Sequence, residues 1–218
     1  MKLKERYRIT IEYFLKNDPD PETELEYKDP FELLVAVILS AQCTDKRVNI
    51  ITPALMQAYP DAESIAKTSP SDVFEYIKSC TYPNNKAKHL VGMARMLVEK
   101  FDSIVPGEPS LLQQLPGVGR KTANVVASVV FHKPVMAVDT HVFRVARRIG
   151  LVDKAKTPLD VEIILTENIP PKLIHHAHHW LILHGRYICK ARKPECSKCG
   201  ISGICKYYLK NLKTINSR

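Results

Sequence analysis

The sequence predicts an all-α protein. Among its 218 residues, 15 prolines and only 8 glycines favour helices with firm ends over many tight hairpins. Most of the chain places apolar residues at helical spacing, and the strand signal is limited to one short extended piece, KPVMAV, at residues 133–138. We therefore expect helices joined by short loops.

Charge and composition favour a polyanionic partner. The 32 Lys and Arg against 23 Asp and Glu give a formal net charge of +9, and each phosphate that a basic protein contacts releases condensed counterions. The sequence has neither a basic amphipathic anchor, nor a signal peptide, nor a run near the ~18 apolar residues of a membrane span. We expect no membrane association and a cytoplasmic protein, nucleoid-associated if prokaryotic, whose six cysteines form no disulfides.

The N-terminal half predicts a succession of helices. Residues 1–24 alternate charges with apolar residues at helical spacing. In DPFELLVAVILSAQ, Asp29 is the expected N-cap, Pro30 takes the first helical position and Glu32 completes a capping box. Its uniformly apolar run 33–39 predicts burial. Further helices are expected over 44–59, capped by Thr44 or Asp45, over 69–80 and over 85–101.

The C-terminal half predicts a pair of short helices and then two longer ones. SLLQQL and RKTANVVASVVF are joined by the turn Pro-Gly-Val-Gly at 116–119. In VDTHVFRVARRIG, Asp139 begins a helix that Gly150 ends. The last long helix is PPKLIHHAHHWLILHGRYIC, in which Pro171 is pre-set for the first turn.

The turn between the paired helices can bind phosphate. A Gly-x-Gly turn leaves backbone N–H groups pointing outward at the start of the second helix, where they accept an anion whatever the base sequence. Gly117 and Gly119 allow backbone torsions and a close approach that a side chain would block. An ordinary helical turn is the alternative.

Lys121 follows this turn as either a solvated lysine or a nucleophile. A nucleophile needs its neutral amine, and making half of a lysine neutral at pH 7 takes roughly 4.6 kcal/mol. The helix N-terminus supplies only ~0.3–2 kcal/mol. Desolvation in a cleft or the neighbouring Arg120 must supply the rest, unless the proton leaves to a base once substrate has bound. Asp139 is the candidate base, and helix capping is its alternative role.

Four cysteines crowd the C-terminal end. Cys189, Cys196, Cys199 and Cys205 lie within 17 residues, with a single Cys-x2-Cys pair among them. A zinc ribbon usually has two such pairs. From their chemistry alone the four thiols can hold either one zinc ion or a [4Fe–4S] cluster.

Four segments carry a resemblance: LLVAVILSAQCTD, LPGVGRKTANVV, VDTHVFRV, and HHWLILHGRYIC with the cysteines that follow it. Together they resemble the endonuclease III family of bifunctional DNA glycosylase/AP lyases, within the helix–hairpin–helix superfamily. The resemblance implies two helical lobes on either side of a positively charged cleft. A six-helix lobe, residues 23–133, carries the helix–hairpin–helix at about 110–131. Residues 1–22 and 134–218 form the second lobe, with the cluster loop at 189–205.

The resemblance also implies a reaction. The family removes oxidised or ring-damaged pyrimidines from duplex DNA and then nicks the backbone by β-elimination. Lys121 would attack C1′ of the sugar and form a Schiff base, and Asp139 would assist its deprotonation and stabilise positive charge on the sugar. Because a tight ion pair would raise the lysine pKa, we expect the two side chains to be close but not paired bidentately. The expected partner is double-stranded DNA with damaged bases or abasic sites, bound by a monomer.

Further roles follow from the same resemblance. The spacing of Cys189, Cys196, Cys199 and Cys205 matches the family's [4Fe–4S] loop. Held in such a loop, Lys190, Arg192 and Lys193 can contact DNA phosphates, and a solvated run of charges is the alternative. Gln42 would fill the gap left by the extruded nucleotide. Tyr82 would stack in the duplex as a second wedge, although Tyr82-Pro83 departs from the family's aliphatic–aromatic pair at this loop.

Two other functions are compatible with these residues. The first is a glycosylase of the same fold that acts on mismatched or alkylated bases. The second is a non-catalytic helix–hairpin–helix module that binds abnormal DNA by its shape. A sister group that removes adenine carries another residue in place of Lys121, which favours the lyase.

Overall fold

The computed structural model, which describes residues 1–216, is all-helical as predicted. No strand occurs in that range, and residues 133–138 form an irregular connection. The helices are α1 (Leu3–Asn17), α2 (Pro30–Ser40), α3 (Asp45–Ala58), α4 (Ala62–Lys67), α5 (Pro70–Ile77), α6 (Pro83–Lys100), α7 (Pro109–Leu112), α8 (Arg120–Phe131), α9 (Thr140–Ile149), α10 (Pro158–Asn168), α11 (Ile174–Tyr187) and α12 (Lys206–Asn216). Residues 217 and 218, the end of the predicted second lobe, lie outside the described residues.

The chain divides into two compact units. Thr23–Lys133 forms one, here called the hairpin unit, and Met1–Glu22 with Pro134–Arg218 forms the other, here called the cluster unit. The hairpin unit contains α2 to α8, one helix more than the six expected. The additional helix is the short α4, which Asp61 and Ser64 cap reciprocally.

Helix α2 is the buried centre of the hairpin unit. Asp29 accepts a hydrogen bond from the Glu32 N–H at 2.8 Å, as predicted for the N-cap. The Glu32 carboxylate accepts from the Lys28 N–H at 2.8 Å instead of returning to Asp29, so the expected capping box is wrong. Residues 33–39 are all buried, as their uniform apolarity predicts.

The cluster unit joins the N-terminal helix to the C-terminal part of the chain. Phe14 of α1 stacks on Trp180 of α11 with ring centroids 5.6 Å apart. The buried Arg6 donates to the carbonyls of Ile149 and Ile204 at 2.7 and 2.6 Å. These long-range contacts hold α1 against α11, the end of α9 and the segment that precedes α12.

Two helices of the cluster unit are not in the sequence prediction. Helix α10 begins at a capping box of Thr157 and Asp160, and α12 follows the cysteine-rich loop. Helix α9 begins and ends where predicted, because Asp139 caps it and Gly150 takes the left-handed φ of 91° that its last turn requires. None of the described helices is long and apolar enough to cross a bilayer.

Candidate nucleic-acid site and iron–sulfur loop

The turn between α7 and α8 requires glycine at position 117. Gly117 has a φ of 80°, and a Cβ there would lie 2.8 Å from the Cβ of His89 on α6. The Val118 N–H closes the turn on the Leu115 carbonyl at 3.1 Å. The turn at Gly117 therefore packs directly against α6, which leaves no room for a side chain at this position.

Gly119 differs from Gly117, because its backbone torsion does not require glycine, and the close approach of a ligand there stays a prediction. Its φ is −83°, which any residue adopts, and a Cβ would meet no atom within 4 Å. Gly119 is the N-cap of α8 and provides no side-chain cap. The space that a side chain on Gly119 would enter is therefore open.

Lys121 is the second residue of α8, and its side chain is exposed. It makes no hydrogen bond or ion pair with the described residues of its own unit. Behind it, Ala123, Val126 and Ala127 are buried. Burial by the protein therefore does not supply the desolvation that one route to a neutral amine needs, which leaves the routes through Arg120 or through a base after substrate binds.

Asp139 caps α9 with one oxygen. Its Oδ1 accepts from the Val142 N–H at 2.8 Å, and the side chain is half-buried. The other carboxylate oxygen has no hydrogen-bond partner among the described residues of the cluster unit. Capping therefore occupies one carboxylate oxygen, and the second oxygen is available to accept a proton. Its closeness to Lys121 stays a prediction.

Gln42 and Tyr82 lie on two loops of the hairpin unit that touch each other. Both residues have a left-handed backbone with a φ of 54° and both are exposed, Tyr82 by 61%. The Thr81 hydroxyl donates to the Gln42 carbonyl at 2.8 Å. Gln42 and Thr81 are 39 positions apart in sequence, and their hydrogen bond joins the two loops at one exposed edge.

All four clustered cysteines line one small cavity. The cavity is otherwise lined largely by apolar and aromatic side chains, including Ile149, Ile188, Ile201 and Tyr207. A zinc ion needs four sulfurs at ~2.3 Å from one centre, whereas each thiolate of a [4Fe–4S] cube binds a different iron. Four thiols around one largely apolar cavity match the four-cysteine ligand set of a [4Fe–4S] cluster.

The surroundings of the cysteines also suit a cluster. Burial raises the pKa of the Cys199 thiol to about 11 and also raises the pKa of Cys196 and Cys205. A metal must therefore displace their protons. Two nitrogen groups approach the sulfurs: Arg148 Nη1 lies 3.6 Å from Cys189 Sγ, and His184 Nε2 lies 3.5 Å from Cys199 Sγ.

The basic residues of the cysteine loop fall into two groups. Lys190 pairs with Glu195, which also binds Lys198 at 2.7 Å. These two ammonium groups lower the pKa of Glu195 to about 2. Arg192 and Lys193 are exposed and have no ion pair in the described part of the cluster unit, so they are the freer cations for phosphate.

Sequence reasoning missed two basic residues that shape these loops. Arg148 donates to the carbonyls of Lys190 and Ala191 at 2.7 and 2.9 Å and thereby holds the cysteine loop on α9. The buried Lys86 of α6 donates to the Leu39 and Ala41 carbonyls, just before Gln42. The position of Arg148 in the last turn of α9 was a readable signal, whereas nothing in the sequence marks Lys86 as buried.

Comparison with known proteins gives this arrangement a class. Residues 35–171 match the family model of the HhH-GPD superfamily base excision DNA repair proteins. Residues 189–205 match the iron–sulfur binding domain of endonuclease III. The class is therefore that of helix–hairpin–helix base excision DNA repair proteins with an iron–sulfur loop.

Relatives narrow the class. The endonuclease III of Rickettsia conorii is 54% identical over 203 residues, covering 93% of this chain and 96% of the relative. A structure of a trapped endonuclease III–DNA covalent intermediate, in an estranged-adenine complex, has a TM-score of 0.91 at 40% identity and covers 97% of this chain and 100% of its own. A non-covalent endonuclease III–DNA complex also has a TM-score of 0.91, at 39% identity, with coverages of 98% and 100%.

The chain belongs to the endonuclease III family. The predicted fold, the [4Fe–4S] cofactor and the role as a DNA glycosylase and AP lyase in base excision repair are thereby confirmed. The particular catalytic, ligand and DNA-contact residues stay predictions.

Proposed function

We propose that the chain removes oxidised or ring-damaged pyrimidines from duplex DNA and cuts the resulting abasic site by β-elimination, with Lys121 as nucleophile. The observation that carries this proposal is the exposed amine of Lys121 beside the open first turn of α8. The similarity to a trapped covalent endonuclease III–DNA intermediate supports it.

The chemistry begins with proton removal from Lys121. The free oxygen of Asp139 is a suitable acceptor, because the other oxygen keeps the side chain oriented on the Val142 N–H. The neutral amine attacks C1′, the bond from C1′ to the damaged base breaks, and the base leaves with its electron pair. The departing base takes up the proton that Asp139 accepted, and the carboxylate regenerated in this way stabilises positive charge that develops on the sugar.

The second step uses the same covalent bond. Ring opening gives an iminium between Lys121 and C1′, which acidifies the protons on C2′. Loss of one C2′ proton expels the 3′ phosphate and breaks the strand. Water then hydrolyses the iminium and returns the free lysine, so the protein is unchanged.

DNA is the partner that the surface charge and the hairpin fit. The outward N–H groups at the start of α8 would hold phosphates beside the reacting nucleotide. Gln42 and Tyr82 would enter the duplex from their shared edge, and unpairing costs least at a damaged base. Arg192 and Lys193 would add phosphate contacts, with Lys190 contributing less because of Glu195. We propose a monomer that works in the cytoplasm, on the nucleoid in a prokaryote.

Cys189, Cys196, Cys199 and Cys205 would hold the [4Fe–4S] cluster. When bound, the cluster supplies a rigid four-point crosslink of the loop. The protein's own contribution is to anchor that loop through Arg148 and to expose Arg192 and Lys193 on it.

Borohydride trapping on an abasic-site duplex tests this function. The wild-type protein and a Lys100→Gln control, which changes an exposed lysine at the end of α6, should form a covalent adduct. Lys121→Gln should bind the duplex but form no adduct and cut no strand. Binding without an adduct by the wild type would contradict the proposed lysine nucleophile. A panel of damaged duplexes decides the substrate, because release of only mismatched or alkylated bases would contradict the pyrimidine-damage proposal.

A further inference from the structure

Lys86 is buried where the two candidate wedge loops meet. Residues 41–44 are here called the Gln42 loop and residues 78–82 the Tyr82 loop. Lys86, in the first turn of α6, is only 5% exposed. Lysine is almost never fully buried in proteins unless it is paired, so its partners need an explanation.

The three donors of the Lys86 ammonium all have partners. Nζ lies 2.8 Å from the Leu39 carbonyl, 2.7 Å from the Ala41 carbonyl and 3.5 Å from Cys80 Sγ. The two carbonyls are at the end of α2, where the helix dipole favours a cation. The ammonium therefore fixes the chain immediately before Gln42.

The same residue also holds the other loop. The Lys86 backbone N–H donates to the Tyr82 carbonyl at 3.2 Å, the first hydrogen bond of α6. The ammonium contact with Cys80 lies two residues before Tyr82. The Thr81 hydroxyl adds a direct link by donating to the Gln42 carbonyl at 2.8 Å.

We propose that Lys86 is a positioning residue that locks the Gln42 and Tyr82 loops into one wedge, so that both side chains enter the duplex together. This inference rests on the proposed function and extends it to how the damaged nucleotide is extruded. The left-handed backbone at both Gln42 and Tyr82 is uncommon for residues other than glycine. Such conformations persist only where the surroundings impose them. The Lys86 contacts before Gln42 and at Tyr82 are suited to impose them.

The lock predicts a selective defect. Release of a base that is still stacked depends on the wedge, whereas cleavage at an abasic site has no base to extrude. In Lys86→Met, base release from a duplex with one ring-saturated thymine should fall roughly 10- to 100-fold, as expected for a small misplacement of binding groups. Strand cleavage at an abasic site should change by less than about threefold, because no stacked base has to be displaced.

The experiment compares single-turnover rates on these two duplexes, with 2-aminopurine opposite the lesion to report unstacking. Lys100→Met is the control for loss of an exposed charge on the same helix, and Met93→Ala is the control for lost core packing. Thr81→Val removes the second link from an exposed position and should give a milder defect of the same kind. Combined with Lys86→Met, it should lower the rate less than the product of the two single effects.

The outcomes separate the two levels of the account. A wild type that neither releases the base nor forms a borohydride adduct would contradict the proposed function and this inference with it. With an active wild type, the inference fails if Lys86→Met behaves like Lys100→Met. It also fails if both rates fall together, as in Met93→Ala. Should Lys86→Met not fold, a Thr81→Val protein with wild-type rates and unstacking would overturn it.

Discussion

The two glycines of the hairpin should respond differently to alanine. Gly117 has a φ of 80°, and its added Cβ would lie 2.8 Å from the Cβ of His89. The His89 Cβ is fixed to the backbone of α6, so the helix or the turn must shift. A left-handed backbone costs an alanine roughly 1–2 kcal/mol, and relief of the overlap adds about 1–3 kcal/mol. We expect Gly117→Ala to lower the free energy of unfolding by about 2–5 kcal/mol.

Gly119→Ala has no such cost within the protein. Its φ of −83° suits alanine, and no atom lies within 4 Å of the added Cβ. Alanine is a poorer N-cap than glycine, which predicts a loss of about 0.5–1 kcal/mol. If a phosphate occupies that open space, however, the methyl group should weaken DNA binding about tenfold, because it blocks the approach to the N–H groups.

Urea unfolding followed by far-ultraviolet circular dichroism measures the first effect, and fluorescence anisotropy with an abasic-site analogue duplex measures the second. The expected pattern is a large stability loss for Gly117→Ala and an affinity loss without a large stability loss for Gly119→Ala. Equal destabilisation by the two variants would refute the geometric argument. Wild-type affinity of Gly119→Ala would refute the proposed phosphate position.

Three further results are expected. Asp139→Asn keeps an oxygen for the Val142 N–H, so the free energy of unfolding should change by under about 1 kcal/mol. Single-turnover base release should slow about 10²- to 10⁴-fold. A loss of stability with an unchanged rate of base release would leave only a capping role for Asp139. Cys196→Ser should lower bound iron and the visible absorbance of the purified protein, whereas metal analysis that finds one zinc and no iron in the wild type would contradict the cluster. Burial lowers the pKa of His179 to about 3, below its unfolded value of ~6.5. Between these two pH values the unfolded state binds one proton more than the folded state. The free energy of unfolding should therefore fall as the pH decreases, by roughly 1.4 kcal/mol per pH unit well inside that window. Urea titrations of wild type and His179→Gln at pH 7 and 5 check this, and equal pH dependence in both proteins would be the contrary result.

Local signals account for the helices that the sequence predicts well. Helix α2 combines a capping aspartate, a proline at its first position and a uniformly apolar run, and all three signals agree. Helix α9 is equally plain, because Asp139 begins it and Gly150 ends it. The short α4 and helix α10 were missed although capping boxes mark both starts. Only Val161 and Leu165 of α10 are buried, so the sequence shows no apolar stripe from which this helix could be predicted.

The site was less predictable because its decisive properties depend on distant residues. Lys86 reads as an ordinary surface lysine, yet its carbonyl partners come from 45 and 47 positions earlier in the chain. Pairing of the Gln42 and Tyr82 loops depends in the same way on the packing of α2 against α6. The exposure of Lys121 could not be read from its helix, because an apolar segment can present its first turn either to the core or to solvent. Motif spacing, by contrast, located the cysteine loop, since its four cysteines are close in sequence.

The claim on which the account depends is that the Lys121 amine forms the covalent bond to DNA. Peptide mapping by mass spectrometry of the borohydride-reduced adduct tests it most directly. The account predicts that the reduced sugar remnant lies on the side-chain nitrogen of Lys121 and on no other amine. A remnant on another lysine or on the N-terminal amine, in a protein that still cuts the strand, would contradict it.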